Sequence, residues 1–262
     1  MAASKKILVF DSGLGGLTVY REIVAALPNA DFVYAADDAA FPYGALEEPA
    51  LIARVVTVIG ELIAAEHPDL VVVACNTAST IALTELRKTF ALPFVGTVPA
   101  IKPACADSVT RQVSVLGTEA TVKREYTRAL IRDFAGNCAV TLVGSKRLAG
   151  YAEAELVGTP VEDIALAGEI GPCFVNHGAR TDTIVLACTH YPLLLERLRR
   201  IAPWPVNFID PAPAIARRVV DLLGPVTGSE GSARAVFTSG RPPTAVLARF
   251  GIGTDTAEAT AR

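Results

Sequence analysis

The sequence predicts an α/β fold: two pseudo-symmetric α/β domains with mainly parallel sheets and a cleft between them. Short apolar runs alternate with longer amphipathic ones. The apolar runs are nearly unbroken, as strands covered on both faces require. The pattern also restarts half-way along the chain, and such alternation builds parallel sheets through right-handed crossovers. In the first half Ile7–Phe10, Phe32–Ala36, Leu70–Ala74 and Phe94–Gly96 read as strands. Gly16–Leu27, Pro49–Glu66 and Thr77–Phe90 read as helices. In the second half the strands are Val113–Leu116, Val140–Gly144 and Thr183–Ala187, and the helices Glu119–Phe134, Pro160–His177 and Leu193–Ile201. A strand at Val206–Ile209, a helix at Pro211–Leu223 and a Gly/Ser-rich loop at Gly224–Ser232 follow. Arg234–Thr238 reads as a last strand, with a helix from Pro243.

The halves resemble each other in detail. Ile7-Leu-Val-Phe-Asp-Ser-Gly aligns with Val113-Ser-Val-Leu-Gly-Thr-Glu, and Val71-Val-Val-Ala-Cys-Asn-Thr with Ile184-Val-Leu-Ala-Cys-Thr-His. Buried strands draw on the same few residues, so the strands alone are weak support for a duplication. The shared Ala-Cys followed by two polar residues is stronger.

Composition excludes several functions. With 262 residues the chain has room for one to two domains. Charged residues are 19%, below the roughly 25% of soluble domains, and apolar residues are 51%, which excludes disorder. The net charge of −3 comes without a basic run, so no nucleic-acid partner is expected. Five cysteines without a Cys-x-x-Cys pair, and only three histidines, argue against a disulfide framework or a zinc site. They suit a reducing, cytoplasmic setting. The mean hydropathy of +0.40 invites a membrane reading. It fails because the run at Leu70–Ala74 is soon broken by Asn76, Thr77, Ser79, Thr80 and Glu85. No stretch reaches the roughly 18 apolar residues that a span needs. Lys5-Lys6 precede only Ile7–Phe10 before Asp11, too short a run for a signal peptide.

The chemistry concentrates at strand exits. Cys75 and Cys188 each follow a buried strand and precede polar residues, Asn76-Thr77 and Thr189-His190. Open α/β sheets bind ligands beyond such strand ends. A helix N-terminus nearby favours thiolate and could turn a thiol into a base. Two thiols facing one cleft suit inversion of a stereocentre, one removing a proton from carbon and the other delivering one to the opposite face. Cys105, Cys138 and Cys173 are read as small packed hydrophobes. A cysteine phosphatase would need an arginine where Ile81 and Leu194 stand. Asp11-Ser-Gly-Leu-Gly-Gly16 matches no phosphate loop, although its amides could hold a carboxylate. Pro42-Tyr43-Gly44 alone reads as a turn. His190 is either a cap or a general acid beside Cys188. His67 and His177 are read as ending helices.

These motifs resemble the glutamate racemase family. The resemblance rests on Asp11-Ser12-Gly13 with Gly15-Gly16-Leu17-Thr18, Pro42-Tyr43-Gly44, Cys75-Asn76-Thr77-Ala78 and Cys188-Thr189-His190-Tyr191-Pro192-Leu193. Val98-Pro-Ala-Ile-Lys-Pro103 and Val115-Leu-Gly-Thr118 extend it, and it runs from about Ile7 to Gly251. It implies a metal-free, cofactor-free isomerase that interconverts L- and D-glutamate for peptidoglycan synthesis. Cys75 would act on the D-glutamate face and Cys188 on the L-glutamate face, with Asp11 and His190 assisting. Asp11, Ser12, Tyr43, Gly44, Asn76, Thr77, Thr189 and His190 would hold the substrate. Glu153 matches an acidic residue near the second thiol, in a stretch that departs from the family's pattern. Ala36-Asp37-Asp38 stands where the family has Gly-Asp-Thr. The implied domains are 1–97 plus 208–262, and 98–207. The only partner expected is the small-molecule substrate, with a homodimer left open. Two rivals remain: a racemase acting on aspartate, and a two-domain amino-acid binding module without chemistry.

Overall fold

The computed structural model describes residues 4–253. Its first sheet is built from β1 (Lys6–Asp11), β2 (Asp31–Ala36), β3 (Leu70–Val73) and β4 (Phe94–Gly96), joined by α1 (Leu17–Ala26), α2 (Glu48–Glu66) and α3 (Asn76–Thr89). After α4 (Ile101–Asp107) a second sheet forms from β5 (Gln112–Thr118) and β6 (Ala139–Ser145), with α5 (Glu119–Lys123) and α6 (Glu125–Phe134) between them. Helices α7 (Leu148–Leu156) and α8 (Asp163–Ile170) follow, then a small hairpin of β7 (Asn176–His177) and β8 (Ala179–Arg180). The second sheet is completed by β9 (Thr183–Ala187) and, after α9 (Leu195–Ile201), by β10 (Asn207–Ile209). The chain then returns through α10 (Ala212–Leu223) to the first sheet as β11 (Ala233–Phe237), and ends its described part at α11 (Thr244–Ala248).

Strand order is β11-β2-β1-β3-β4 in one sheet and β6-β5-β9-β10 in the other. Every pairing in both is parallel. With β11 set aside the two orders are the same, β1 corresponding to β5 and β3 to β9, as the internal alignment implies. The unbroken apolar strands are explained by packing on both faces. In β1, Ile7 and Val9 face one core with α1 and α10, while Leu8 and Phe10 face the other with α2 and α3. Among the described residues no helix is long and apolar enough to cross a membrane.

Some local expectations fail. The helix foreseen over Glu119–Phe134 breaks at Arg124, whose backbone is extended. The Thr127 hydroxyl, donating to the Thr121 carbonyl at 2.7 Å, satisfies an acceptor freed by the break. The helix foreseen to His177 ends at Ile170. Pro172 has no N–H to continue it, and His177 lies in the hairpin beside Gly178, whose φ is +83°. His67 does end α2, in a left-handed conformation. Short helices α4 and α7 carry too little periodicity to be seen in advance. β10 pairs with β9 in the second sheet.

Candidate active site

β3 and β9 end in the middle of their sheets, and both ends open on one cavity between the two units. Cys75 and Cys188 both line it. Ser12, Tyr43, Gly44, Asn76 and Thr77 join them from the first unit, and Thr189 and His190 from the second. Phe41, Pro42, Thr118 and Ala149 complete the wall. The cavity is narrow, with about 20 Å³ of free volume, roughly enough for one water molecule. A larger opening of about 290 Å³ adjoins it and shares Pro42, Gly44, Thr118 and Ala149.

Cys75 sits immediately before α3, and the Ser12 hydroxyl lies 3.6 Å from its sulfur. The helix terminus does not make it an activated thiolate, contrary to the sequence expectation. Burial, with the nearby Asp11 charge, pushes the thiol up to about 12, against hydrogen bonds from the Ala78 amide and Ser12. Cys75 is therefore held as a protonated thiol at neutral pH. Asn76 is 2% exposed, and both polar atoms of its side chain lack a partner. An amide left unpaired in a buried cavity wall costs free energy until something pairs with it.

On the other wall, Cys188 Sγ lies 3.8 Å from His190 Nδ1. His190 Nε2 lies 2.8 Å from Glu153 Oε1, and the Gly15 amide approaches the same nitrogen at 3.2 Å. A protonated Nε2 serves the carboxylate, and a bare one serves the amide. We assign the proton to Nε2, because the carboxylate is closer and carries charge. Burial alone would push the imidazole down. Hydrogen bonds to Cys188 and Glu153, with the Cys188 and Asp11 charges, outweigh burial and raise it to about 10. The resulting imidazolium offers Nδ1–H to the Cys188 sulfur.

This has a consequence for stability. The folded pKa of His190 lies above the ordinary 6.5, so its charged contacts stabilise fully below about pH 6.5 and are lost as pH rises towards about 10. The denaturation midpoint of the wild type should therefore exceed that of His190→Gln most at pH 6. The gap should narrow steadily to pH 10. A gap independent of pH would show that His190 is neutral in the fold.

Asp11, expected to touch substrate, does not line the cavity; it stands behind the wall. Its Oδ1 accepts from the Gly13 amide and its Oδ2 from the Thr189 hydroxyl, each at 2.9 Å. Burial pushes its carboxyl above the usual range, while the His190 charge and these two donors pull the other way. The glycine loop does hold a carboxylate, but an internal one: the Leu14 amide donates to Glu153 Oε1 at 2.7 Å. Its glycines permit close approach, since a Cβ on Gly13 would stand 2.1 Å from Glu153 Oε1. Tyr43 faces the cavity, but its hydroxyl is spent on Asp37 at 2.5 Å.

Sequence reasoning missed Thr118 as a wall residue, although a signal existed. The internal alignment pairs it with Ser12, so each half places a hydroxyl at its first strand's exit. Phe41 and Ala149 gave no signal, being an ordinary loop aromatic and a helical alanine. Cys105 and Cys173 are packed in the second unit's cores, and burial pushes both thiols up to about 12. Cys138 lies beside Cys105, its thiol 3.4 Å from the Cys105 carbonyl. Among the described residues no group of three or more His, Cys, Asp or Glu is arranged to hold a metal ion.

The family model for Asp/Glu/hydantoin racemases matches residues 7–219. The chain belongs to this family, and is an isomerase. It is 52% identical over 250 residues to the glutamate racemase of Brucella anthropi, spanning 93% of this chain and 90% of that one. It is 54% identical over 245 residues to the glutamate racemase of Mesorhizobium japonicum, covering 92% and 94%. The crystal structure of Escherichia coli glutamate racemase, in complex with L-glutamate and the activator UDP-MurNAc-Ala, superposes with a TM-score of 0.87. That match has 39% identity and covers 96% of this chain and 97% of the other.

Proposed function

We propose that this isomerase interconverts L- and D-glutamate by a two-base mechanism, with Cys75 and Cys188 as the two bases. The observation that carries the reading is the convergence of two strand-end thiols, one from each unit, on a single cavity. In the L-to-D direction Cys188, as thiolate, takes the α-proton. Cys75, held as a thiol, gives its own proton to the opposite face of the carbon. The product leaves with Cys188 protonated and Cys75 as thiolate, and the D-to-L direction runs the same transfers in reverse. The faces are assigned by resemblance to the family. Proton balance needs no other reactant and no cofactor.

Loss of the α-proton sends charge onto the α-carboxylate. That charge needs fixed donors in a site closed to water. Ser12, Asn76 and Thr77 supply O–H and N–H groups around the cavity, while the Thr189 hydroxyl is held by Asp11. Asn76 is suited to take both ends of the amino-acid head, its Oδ1 accepting from the ammonium and its Nδ2 donating to a carboxylate. The product would serve peptidoglycan synthesis in a bacterial cytoplasm.

Incubation in deuterated water with each glutamate enantiomer, and separately with L-aspartate, tests the reading. Exchange of the α-proton from both glutamate enantiomers, with loss of optical rotation, is expected. Exchange confined to aspartate would transfer the site to the rival substrate. Binding without any exchange would leave a binding module.

A further inference from the structure

The Tyr43 hydroxyl does not reach into the cavity, and what it binds instead has no role in the chemistry above. Asp37 immediately follows β2 and is fully buried, 0% exposed. Its two carboxylate oxygens accept four hydrogen bonds. Oδ2 takes the Tyr43 hydroxyl at 2.5 Å and Arg54 Nε at 2.6 Å. Oδ1 takes Arg54 Nη2 at 2.6 Å and the Thr238 hydroxyl at 2.7 Å. Burying a carboxylate is costly unless donors of this number and charge surround it. The donors come from three separate places: the turn at the cavity mouth, the middle of α2, and the segment after β11.

Asp38 completes the assembly. It accepts from the Ser239 amide at 2.9 Å and from the Ser239 hydroxyl at 2.5 Å, which pins the turn that carries Thr238. Asp38 thus adds a clamp on the returning chain. With Asp37 so held, Tyr43 can only donate to it. The Tyr43 ring packs near Phe10, centroids 6.4 Å apart. Its neighbours Pro42 and Gly44 form the lip shared by the cavity and the outer opening.

We propose that Arg54 and Thr238 are positioning residues for the substrate: through Asp37 they fix Tyr43, and through Tyr43 the Pro42–Gly44 lip of the cavity. This rests on the cavity being the glutamate site. The bidentate Arg54 fork sets the plane of the carboxylate, and Thr238 stops it rotating. The lip then meets the substrate already in its bound position, which spares the ordering cost of binding.

The test is steady-state kinetics in both directions for Arg54→Gln, Arg54→Lys, Thr238→Val, Tyr43→Phe and the double variant Arg54→Gln/Tyr43→Phe, with melting temperatures. KM for both enantiomers should rise about tenfold in Arg54→Gln, the scale of one charge-assisted hydrogen bond, with kcat changing much less. Arg54→Lys should recover part of the loss. Thr238→Val keeps the ion pair and so keeps the fold, and should raise KM by a smaller factor. Tyr43→Phe should reproduce the Arg54→Gln rise, and the double variant should be no worse than either single one, because the two act through one chain of contacts. Lowered melting temperatures with unchanged KM would overturn the proposal, as would KM effects that multiply in the double variant. A wild type that exchanges no glutamate proton would overturn the substrate reading and this inference with it. An active wild type with normal variants would overturn this inference alone.

Discussion

Replacing Cys75 or Cys188 by alanine should abolish racemisation in both directions while leaving the fold intact. Each transfer needs its own donor or acceptor, and a positioned acid–base group is worth roughly 10²–10⁴ in rate. The reaction needs two of them in series, so no single thiol can cover both faces of the carbon. Serine should be nearly as damaging, because a hydroxyl is a far weaker acid and so a poor donor at neutral pH. The two alanine variants should differ in what they retain. If Cys75 serves the D-face, Cys188→Ala can still exchange the α-proton of D-glutamate without inverting it, and Cys75→Ala can do so with L-glutamate. Cys173→Ala is the control: that thiol is packed in a core, so its loss should cost stability of a few kcal/mol at most and leave turnover intact. Near-normal racemisation by a folded Cys75 or Cys188 variant would show that the bases are misassigned.

Gly15→Ala should be almost as severe, although glycine 15 carries no chemistry. A Cβ there would stand 2.4 Å from His190 Nδ1 and 2.6 Å from the Thr189 hydroxyl. Both neighbours belong to the second unit, so relief requires either turning His190 away from Cys188 or prising the two walls apart. A displacement of about 1 Å in a reacting geometry can cost roughly 10²-fold, and a loss of that order in kcat/KM is expected. Gly150→Ala is the contrasting case. A Cβ at Gly150, within α7, meets nothing within 4 Å, and alanine is the better helix former by about 0.5–1 kcal/mol. Activity should therefore be retained and stability slightly raised. A Gly15→Ala protein with full activity would show that the interface at this loop is loose during turnover.

The parts of the site legible in the sequence are those tied to strand ends. An unbroken apolar run such as Leu70–Val73 must be covered on both faces, so its polar successors Asn76 and Thr77 can only lie at the sheet's edge. The same logic placed Thr189 and His190 after β9. The duplication supplied the rest: two equivalent strands in two equivalent sheets carry their cysteines to equivalent places. Where local pattern misled, the cause was a single residue overruling periodicity. Pro172 cut a helix short, and an extended Arg124 split another.

Thus the sequence by itself determined the two parallel sheets and the emergence of Cys75 and Cys188 at strand ends, because burial on two faces and a helix period leave direct traces in residue spacing. Only the tertiary structure decided how the two halves meet. Glu153 reaches the glycine loop from α7, Thr118 joins the wall, and Asp37 gathers Tyr43, Arg54 and Thr238 from distant segments. It also decided which groups carry protons: burial and Asp11 hold Cys75 as a thiol, and Glu153 and Cys188 keep His190 charged. Neither outcome can be read from neighbours along the chain, since desolvation and charge act through space, between residues that only the packing of one unit on the other brings together.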